Sequence, residues 1–345
     1  MSTMAHRTIL LTGASGVVGT ALLPLLAGHR VICLAHRNIP EAGEVVTGDL
    51  RSPELGLDAR TRRQLAREVD VVIHCAAITD FAADARATFE LNVDGTANML
   101  QFAGDAGALL HYVSTAFLAR TDVSRGDVGE AAADPRIYLA SKRAAEQLVR
   151  DSGVTATMVR PSVVVGDSGT GAIAKFQALY VLAASVLRNT LPLVPLLPDA
   201  RVDLVPQDIV ARAITAVVEH DIRGGEVWVT AGQQALTARA VVDLVVDAGT
   251  RAGMNVRAPR LVDPEMVDRL VRPAFLEDLP AATRRRLDDL LAMSALMAAA
   301  EPLPSTVAEL PGSRPVETDA LASAFDRSVG YFIRAMGWTS GESAA

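Results

Sequence analysis

Along residues 8–166, short β-rich apolar runs alternate with stretches in which apolar positions recur at helical spacing. TILLTG reads as a strand and GVVGTALLPLLAG as a helix closed by Gly28. RVICLAHR and the shorter GEVVTGDL are two more strands, RRQLAREVD is helical, and VDVVIHCAA is a fourth strand. Residues 89–106 are helical, LLHYVSTAFL is a fifth strand, residues 138–152 are helical, and TATMVRPSVVVG is a sixth strand. Strands that are apolar on both faces, with helices between them, belong in a parallel sheet covered on both sides. The pattern predicts an α/β fold built on a doubly wound parallel sheet.

Past Gly166 the pattern changes. The turn GDSGTG leads into residues 172–198, the most apolar part of the chain. RVDLVPQDIVARAITAVVEH and GEVWVT return to the sheet as strand, helix and strand. From residue 236 onward the period is mostly helical, with a proline-rich interruption at residues 302–315. The expected division is a sheet domain of residues 1–166 and 201–230, and a smaller, mostly helical substrate lobe of residues 167–200 and 231–345.

Composition narrows the class. The 345 residues are 50% apolar and 21% charged, the profile of a globular protein. The net charge of −7 and the lack of a basic block argue against a nucleic-acid partner. Cys33 and Cys75 both lie in apolar runs and read as small core residues in a reducing compartment. No zinc spacing is present, and the short polar start does not read as a signal peptide. Lys175, Arg188, Pro192 and Pro195 break residues 172–198 well short of the ~20 apolar residues of a membrane span. A cytoplasmic monomer or homodimer is expected.

The chemistry begins in TGASGVVG, where Gly13, Gly16 and Gly19 follow a strand and open a helix. Gly13 permits the tight turn, Gly16 lets backbone approach a pyrophosphate, and Gly19 lets the helix pack on the sheet; Ser15, Val17 and Val18 complete the turn. The alternative is a strand-to-helix connection that is merely glycine-rich. NAD sites usually carry an acidic residue at the end of the second strand, but here the strand ends in Ala35-His36-Arg37. Arg37, helped by His36, would pair with a 2′-phosphate, which favours NADPH; otherwise Arg37 is a solvated surface residue.

YLASK places Tyr138 and Lys142 four residues apart on one helix face. A nearby ammonium is expected to lower the phenol pKa, and the same lysine can hold the nicotinamide ribose. Ser114 and Thr115, at the end of the fifth strand, are the candidate hydroxyls for orienting a substrate oxygen. His74 and His111 read as packed or capping residues. Residues 172–198 read equally as an acyl-facing wall, a membrane-surface contact or plain lobe core.

These motifs resemble the extended short-chain dehydrogenase/reductases over roughly residues 7–230. Within that superfamily they are similar to the thioester-reductase and fatty acyl-CoA reductase branch. The resemblance rests on GDL, HCAA, NVDGTANML, YVSTAFL, YLASKRAAEQLVR, VRPSVVVGDSGTG and VDLVPQDIVARAI. It implies a Rossmann-type fold in which Asp49 and Leu50 flank the adenine and Cys75, Ala76 and Ala77 line the middle of the cofactor. It further implies a catalytic triad of Thr115, Tyr138 and Lys142, with Tyr138 and Lys142 also meeting the cofactor and Ser114 in support. Pro161, Ser162, Val163 and Val164 would pass beside the nicotinamide.

Two features depart from the branch. Many acyl reductases carry an aromatic residue in the glycine turn where this chain has Val17-Val18, and the C-terminal third matches less clearly. The expected function is a free-standing NADPH-dependent reductase of a thioester, its acyl group on CoA or a carrier protein, giving aldehyde or alcohol. The rivals are a ketone or aldehyde reductase, a nucleotide-sugar epimerase or dehydratase, and a non-enzymatic NADP(H)-sensing protein.

Overall fold

A computed structural model describes residues 6–120, 134–177, 179–267, 291–294, 296, 298–299 and 301–338. The remaining parts of the expected sheet domain and lobe, residues 1–5, 121–133, 178, 268–290, 295, 297, 300 and 339–345, lie outside this description. The strands in chain order are β1 Thr8–Thr12, β2 Arg30–Ala35, β3 Glu44–Thr47, β4 Val71–His74, β5 Leu109–Val113 and β6 Ala156–Pro161. They continue with β7 Val163–Val165, β8 Leu193–Val194, β9 Arg201–Val202, β10 Leu204–Pro206 and β11 Glu226–Val229. The main helices are α1 Val17–Leu22, α2 Ala59–Glu68, α3 Ala85–Phe89, α4 Gly95–Ala106, α5 Pro135–Asp151, α6 Leu179–Leu187, α7 Gln207–Glu219 and α8 Ala238–Arg251, followed by a C-terminal helix, Thr318–Ala335.

The seven-stranded main sheet runs β11-β6-β5-β4-β1-β2-β3, and each neighbouring pair is parallel. This is the Rossmann-type order expected from the alternating pattern. The direction of winding reverses between β1 and β4, and ligands of open α/β sheets bind outside the strand carboxyl ends at such a point. Alternation along β1 divides the core. Ile9 and Leu11 enter the layer that also holds Val210 and Ile214 of α7, whereas Leu10 enters the layer of Met99 in α4 and Ala145 in α5. A third apolar cluster unites α6, α8 and the C-terminal helix, through residues such as Leu179, Val241 and Phe325, with Tyr138 of α5.

Three sequence expectations are redrawn. The sixth strand divides: Ser162 N donates to Val229 O at 3.1 Å, but Val163 N donates to Asp203 O at 3.3 Å. The chain thereby leaves the main sheet just after Pro161, which brings no N–H to the ladder, and β7 pairs with β10 instead. The helix at residues 89–106 is α3 and α4 joined through a π turn at Glu90–Asp94. The first helix shortens to α1 and continues as a 3₁₀ turn, Leu23–Leu26, with Pro24 in its first turn. Among the described residues no helix is long and apolar enough to cross a membrane, and no cluster of three or more His, Cys, Asp or Glu could hold a metal ion.

Candidate active site

The glycine turn is shaped by what lies against it. Gly13 has φ +71, and a Cβ there would stand 2.7 Å from Ala76 N and 2.8 Å from Cys75 C. A Cβ on Gly19 would come within 2.2 Å of Gly13 O. Gly13 thus lets the turn press on the exit of β4, and Gly19 lets α1 close over the turn. Gly16, whose N donates to Gly13 O at 2.9 Å, is the N-cap of α1 and caps it with no side-chain bond. Ser15 and Gly16 are exposed, Val17 and Val18 half-buried.

Beneath the turn, Thr12 Oγ1 meets His74 Nδ1 at 2.7 Å and accepts from Ala76 N at 3.2 Å, and His74 Nε2 meets Thr96 Oγ1 at 3.2 Å. Burial, with the Lys142 charge behind it, holds the imidazole neutral at a pKa of about 3. His74 is a packed crosslink, as the sequence reading had it. His111 is buried as well, and burial takes its pKa down to about 4.

A cleft of about 320 Å³ opens beside the turn, bounded by Gly13, Ser15, His36, Arg37, Asp49, Leu50, Ala76 and Ile78. It also contains Arg51, which sequence reasoning missed. Asp49 Oδ1 accepts from the Arg51 backbone N and Nε, both at 3.0 Å, and Asp49 Oδ2 accepts from Arg51 Nη2 at 2.9 Å. Arg51 Nη2 also lies 3.4 Å from His36 Nε2. The Arg51 side chain, helped by its backbone N–H and charge, holds the Asp49 carboxyl below its usual range. A basic residue immediately after GDL was the available signal, although nothing in the spacing alone turns it toward the cleft.

At the other end, β5 stops at Val113, and Thr115 caps a 3₁₀ turn, Ala116–Ala119, its Oγ1 accepting from Phe117 N at 3.3 Å. Tyr138 enters from the first turns of α5, whose N-cap Asp134 accepts from Arg136 N. Thr115 and Tyr138 are 3% and 8% exposed, and the Thr115 hydroxyl acts on the phenol to lower its pKa. Burial pushes the phenol pKa up to about 12 against that opposing pull.

The expected lowering of this pKa by Lys142 is corrected here. Lys142 Nζ donates to Val113 O at 2.7 Å and to Tyr112 OH at 3.1 Å, and no Lys142 effect offsets the cost of burying the phenolate. Burial lowers the ammonium itself to about 8, while Cys75 and Glu146 oppose the shift.

Two further groups position this end. Asn92, in the π turn, accepts from Ile78 N at 2.8 Å and donates to Ile78 O at 3.0 Å and to Ser141 Oγ at 2.9 Å. Ser141 Oγ in turn donates to Tyr138 O at 2.7 Å, so the β4 exit and the Tyr138 turn of α5 are tied through one amide. Phe81, beyond β4, packs against the Tyr138 ring with centroids 5.6 Å apart. Asn92 opens the NVDGTANML motif but was given no role in the sequence, and Phe81 was not singled out.

Ser114 is buried, and its hydroxyl makes no hydrogen bond with another described residue. Glu146 accepts from Arg160 Nε at 2.8 Å and Nη2 at 2.6 Å; Arg160 also pairs with Glu226 and lies over the Trp228 ring. This buried network ties α5 to β6 and β11. Pro161, Ser162 and Val163 are buried and Val164 half-buried, while Cys75, Ala76 and Ala77 are half-buried at the β4 exit. Ser162 lies beside the buried Asp203, which accepts from Ala231 N at 2.8 Å and Gly232 N at 2.9 Å.

Residues 172–198 serve two roles. Leu187 is 2% exposed and belongs to the lobe core, whereas Leu191 lines a groove of about 540 Å³ with Phe176, Tyr180, Val181 and Phe332.

The sheet order, the glycine turn at the switch point, and Tyr138, Lys142 and Thr115 at the strand ends define a nicotinamide-dinucleotide oxidoreductase of the short-chain type. A family model described as male sterility protein, NAD-binding, matches residues 34–214. The chain belongs to that family, within the extended short-chain dehydrogenase/reductases, which are NAD(P)-dependent oxidoreductases.

Similar curated proteins include glycine betaine reductase ATRR of Emericella nidulans, 28% identical over 249 residues, covering 60% of this chain and 19% of that protein. L-2-aminoadipate reductase of Schizosaccharomyces pombe is 28% identical over 266 residues, covering 63% of this chain and 18% of that protein. This chain therefore spans less than a fifth of the length of either relative. In fold it is similar to the terminal R domain of the myxalamid PKS-NRPS pathway, with a TM-score of 0.70 and 24% identity, covering 97% of this chain and 92% of that one.

The residues present fit a dinucleotide. A Cβ at Gly13 or Gly19 would fill the turn, and Arg37 and Arg51 bring cationic groups to the cleft beside it.

Proposed function

We propose that this chain is an NADPH-dependent thioester reductase that releases an acyl group, held on CoA or a carrier protein, as an aldehyde. The observation that carries the reading is the buried hydroxyl pair of Thr115 and Tyr138 at the carboxyl end of β5. Gly13, Ser15, Gly16, Val17, Val18 and Gly19 would hold the pyrophosphate. His36, Arg37, Asp49 and Leu50 would meet the adenosine, and Cys75, Ala76, Ala77 and residues 161–164 the remainder. Residues 1–166 and 201–230 would be the cofactor domain, and residues 167–200 and 231–345 the acyl-facing lobe.

When bound, the reduced nicotinamide supplies the hydride that reaches the carbonyl carbon. Thr115 Oγ1 and Tyr138 Oη hold the oxygen as it gains charge, the kind of preorganised donor pair that lowers such barriers. Tyr138 then gives that oxygen its proton, forming a hemithioacetal. With its pKa near 12 the phenol is protonated at neutral pH, the state a donor needs. The hemithioacetal collapses to aldehyde and free thiol as its hydroxyl proton passes to the leaving sulfur. Lys142, cationic below about pH 8, holds the ribose. A second turnover on the aldehyde would give the alcohol.

Loss of NADPH absorbance is followed with acyl-CoAs, acyl-carrier thioesters, aldehydes, ketones and nucleotide sugars in separate reactions. Thioester-dependent oxidation is the expected result. Turnover of ketones or sugars with no thioester turned over overturns the substrate assignment. NADPH binding without turnover of any substrate favours a sensing protein.

A further inference from the structure

β5 sends Leu110 and Tyr112 into the apolar layer that also holds Leu10, Met99, Ala145 and Met158. A phenylalanine would fill that layer as well as a tyrosine does, and a buried hydroxyl is costly unless it is hydrogen-bonded. Tyr112 is 1% exposed, and its oxygen accepts from Lys142 Nζ at 3.1 Å. Nζ also stands 4.6 Å from the centre of the Tyr112 ring. What the hydroxyl adds over the ring is an acceptor for the ammonium.

An ammonium has three N–H donors and no acceptor. One goes to Val113 O at 2.7 Å and one to Tyr112, which leaves one for a ligand. Both acceptors belong to adjacent residues of one strand, so β5 sets where the last N–H points. Burial drives the Lys142 ammonium down to about 8, and a hydrogen bond accepted from the charged form works against that loss. The Tyr112 phenol stays protonated while it does so. Burial pushes its pKa up, Tyr138 and Glu146 add to the shift, and only the Thr96 hydroxyl opposes it.

We propose that Tyr112 is a positioning residue for the reaction, its hydroxyl keeping Lys142 charged and aimed so that the remaining N–H meets the nicotinamide ribose. The proposal rests on the reading given above in which Lys142 holds that ribose.

The titratable groups acting on this ammonium or on Tyr112 are His74 and Cys75 at the end of β4, and Tyr138 and Glu146 on α5. Burial holds Cys75 and Tyr138 at about 12 and His74 at about 3. Against the pull of its own burial, Arg160 keeps Glu146 below the usual carboxylate range. Lys142 is therefore the member of this group that titrates between pH 6.5 and 9.

NADPH fluorescence titrations over that pH range, without substrate, on wild type, Tyr112→Phe and Lys142→Met test this apart from turnover. Wild-type affinity is expected to fall as pH rises past about 8, and Lys142→Met to lack that fall. Tyr112→Phe keeps the ring and removes the acceptor. Its fall is expected about one pH unit lower, the shift that loss of a bond to a charged group brings. The ratio of variant to wild-type affinity should then drop roughly fivefold between pH 6.5 and 9, and groups common to both proteins cancel in it. A ratio that is level with pH, whether at one or below it, leaves the hydroxyl a packing role and overturns the proposal. A wild type with no such fall, and no tighter than Lys142→Met, takes Lys142 off the cofactor; that overturns the ribose reading and the proposal with it. Should Tyr112→Phe not fold, Tyr112→Met fills the layer without a hydroxyl and carries the same test with the same outcomes.

Discussion

The two proposed parts of the cofactor site, a catalytic end and an adenosine end, are built from opposite electrostatics. At the catalytic end Thr115, Tyr138 and Lys142 are 3%, 8% and 2% exposed, and the largest influence on the two titrating groups is burial itself. At the adenosine end His36, Arg37 and Arg51 stand in water, and Asp49 is shifted by its partner more than by burial. Desolvated groups have few compensating partners, so each substitution is felt in full; hydrated charges are screened and substitutable. The catalytic end is therefore expected to be intolerant and insensitive to salt, the adenosine end tolerant and sensitive to salt.

The largest effect belongs to the phenol. Tyr138→Phe removes the proton donor and one of the two oxygen-holding hydroxyls while keeping the ring against Phe81. A fall in kcat of about 10²–10⁴-fold is expected, with NADPH affinity close to wild type. Near-normal kcat in this variant would show that the acid lies elsewhere.

Next is a pair of carboxylates, one at each end. Glu146 is 1% exposed and accepts from Arg160 and Arg150. Glu146→Gln leaves Arg160 with only Glu226 and is expected to cost about 3–5 kcal/mol of stability. Asp49 also holds an arginine, but a partly hydrated one, and Asp49→Asn is expected to cost under about 1 kcal/mol. Urea unfolding of both variants checks the contrast, and equal losses would break it.

Much of this comparison was legible in the sequence, because strand-length apolar runs, the glycine spacing and the Tyr138–Lys142 spacing follow from local periodicities. What was not legible depends on where chains meet. Arg51 is an ordinary charged residue until the β3 exit brings it beside the β2 exit. Lys142 was read as a partner of Tyr138 because both occupy one helix face; its carbonyl partner, Val113, lies on a strand 29 residues earlier. The division of the sixth strand follows from Asp203 waiting on β10's side of the chain, a contact no local pattern records.

Lys142 supplies the next test, through pH. Its ordinary value of 10.5 applies in the unfolded chain and about 8 in the fold. Between these values the unfolded chain binds the extra proton, so stability contributed at this site rises with pH across roughly 8 to 10.5. Below about 8 the buried ammonium carries its full cost, roughly 3 kcal/mol. Lys142→Met removes this titration. Wild type is expected to gain stability relative to the variant as pH rises from 7 to 10, though the absolute order also reflects Val113 O losing its donor. Parallel pH–stability curves for the two proteins would show that Lys142 titrates as if in water.

The last effect is the one most open to solvent. Arg37→Ala should reduce the preference for NADPH over NADH by roughly 1.5–3 kcal/mol at low salt. The screening length is about 10 Å at 0.1 M ionic strength, and Arg37 is exposed, so that penalty should shrink as salt is added. Turnover at saturating NADPH should not follow it, because the hydroxyls proposed to act on the carbonyl are buried away from mobile ions. The measurement is a salt series of NADPH affinity beside a salt series of kcat, in wild type and variant. Affinity that falls with salt in wild type and is flatter in Arg37→Ala, with kcat level in both, upholds the division between the ends. A kcat that falls with salt as steeply as affinity would mean that the catalytic end is hydrated too, and the contrast from which these expectations follow would be lost.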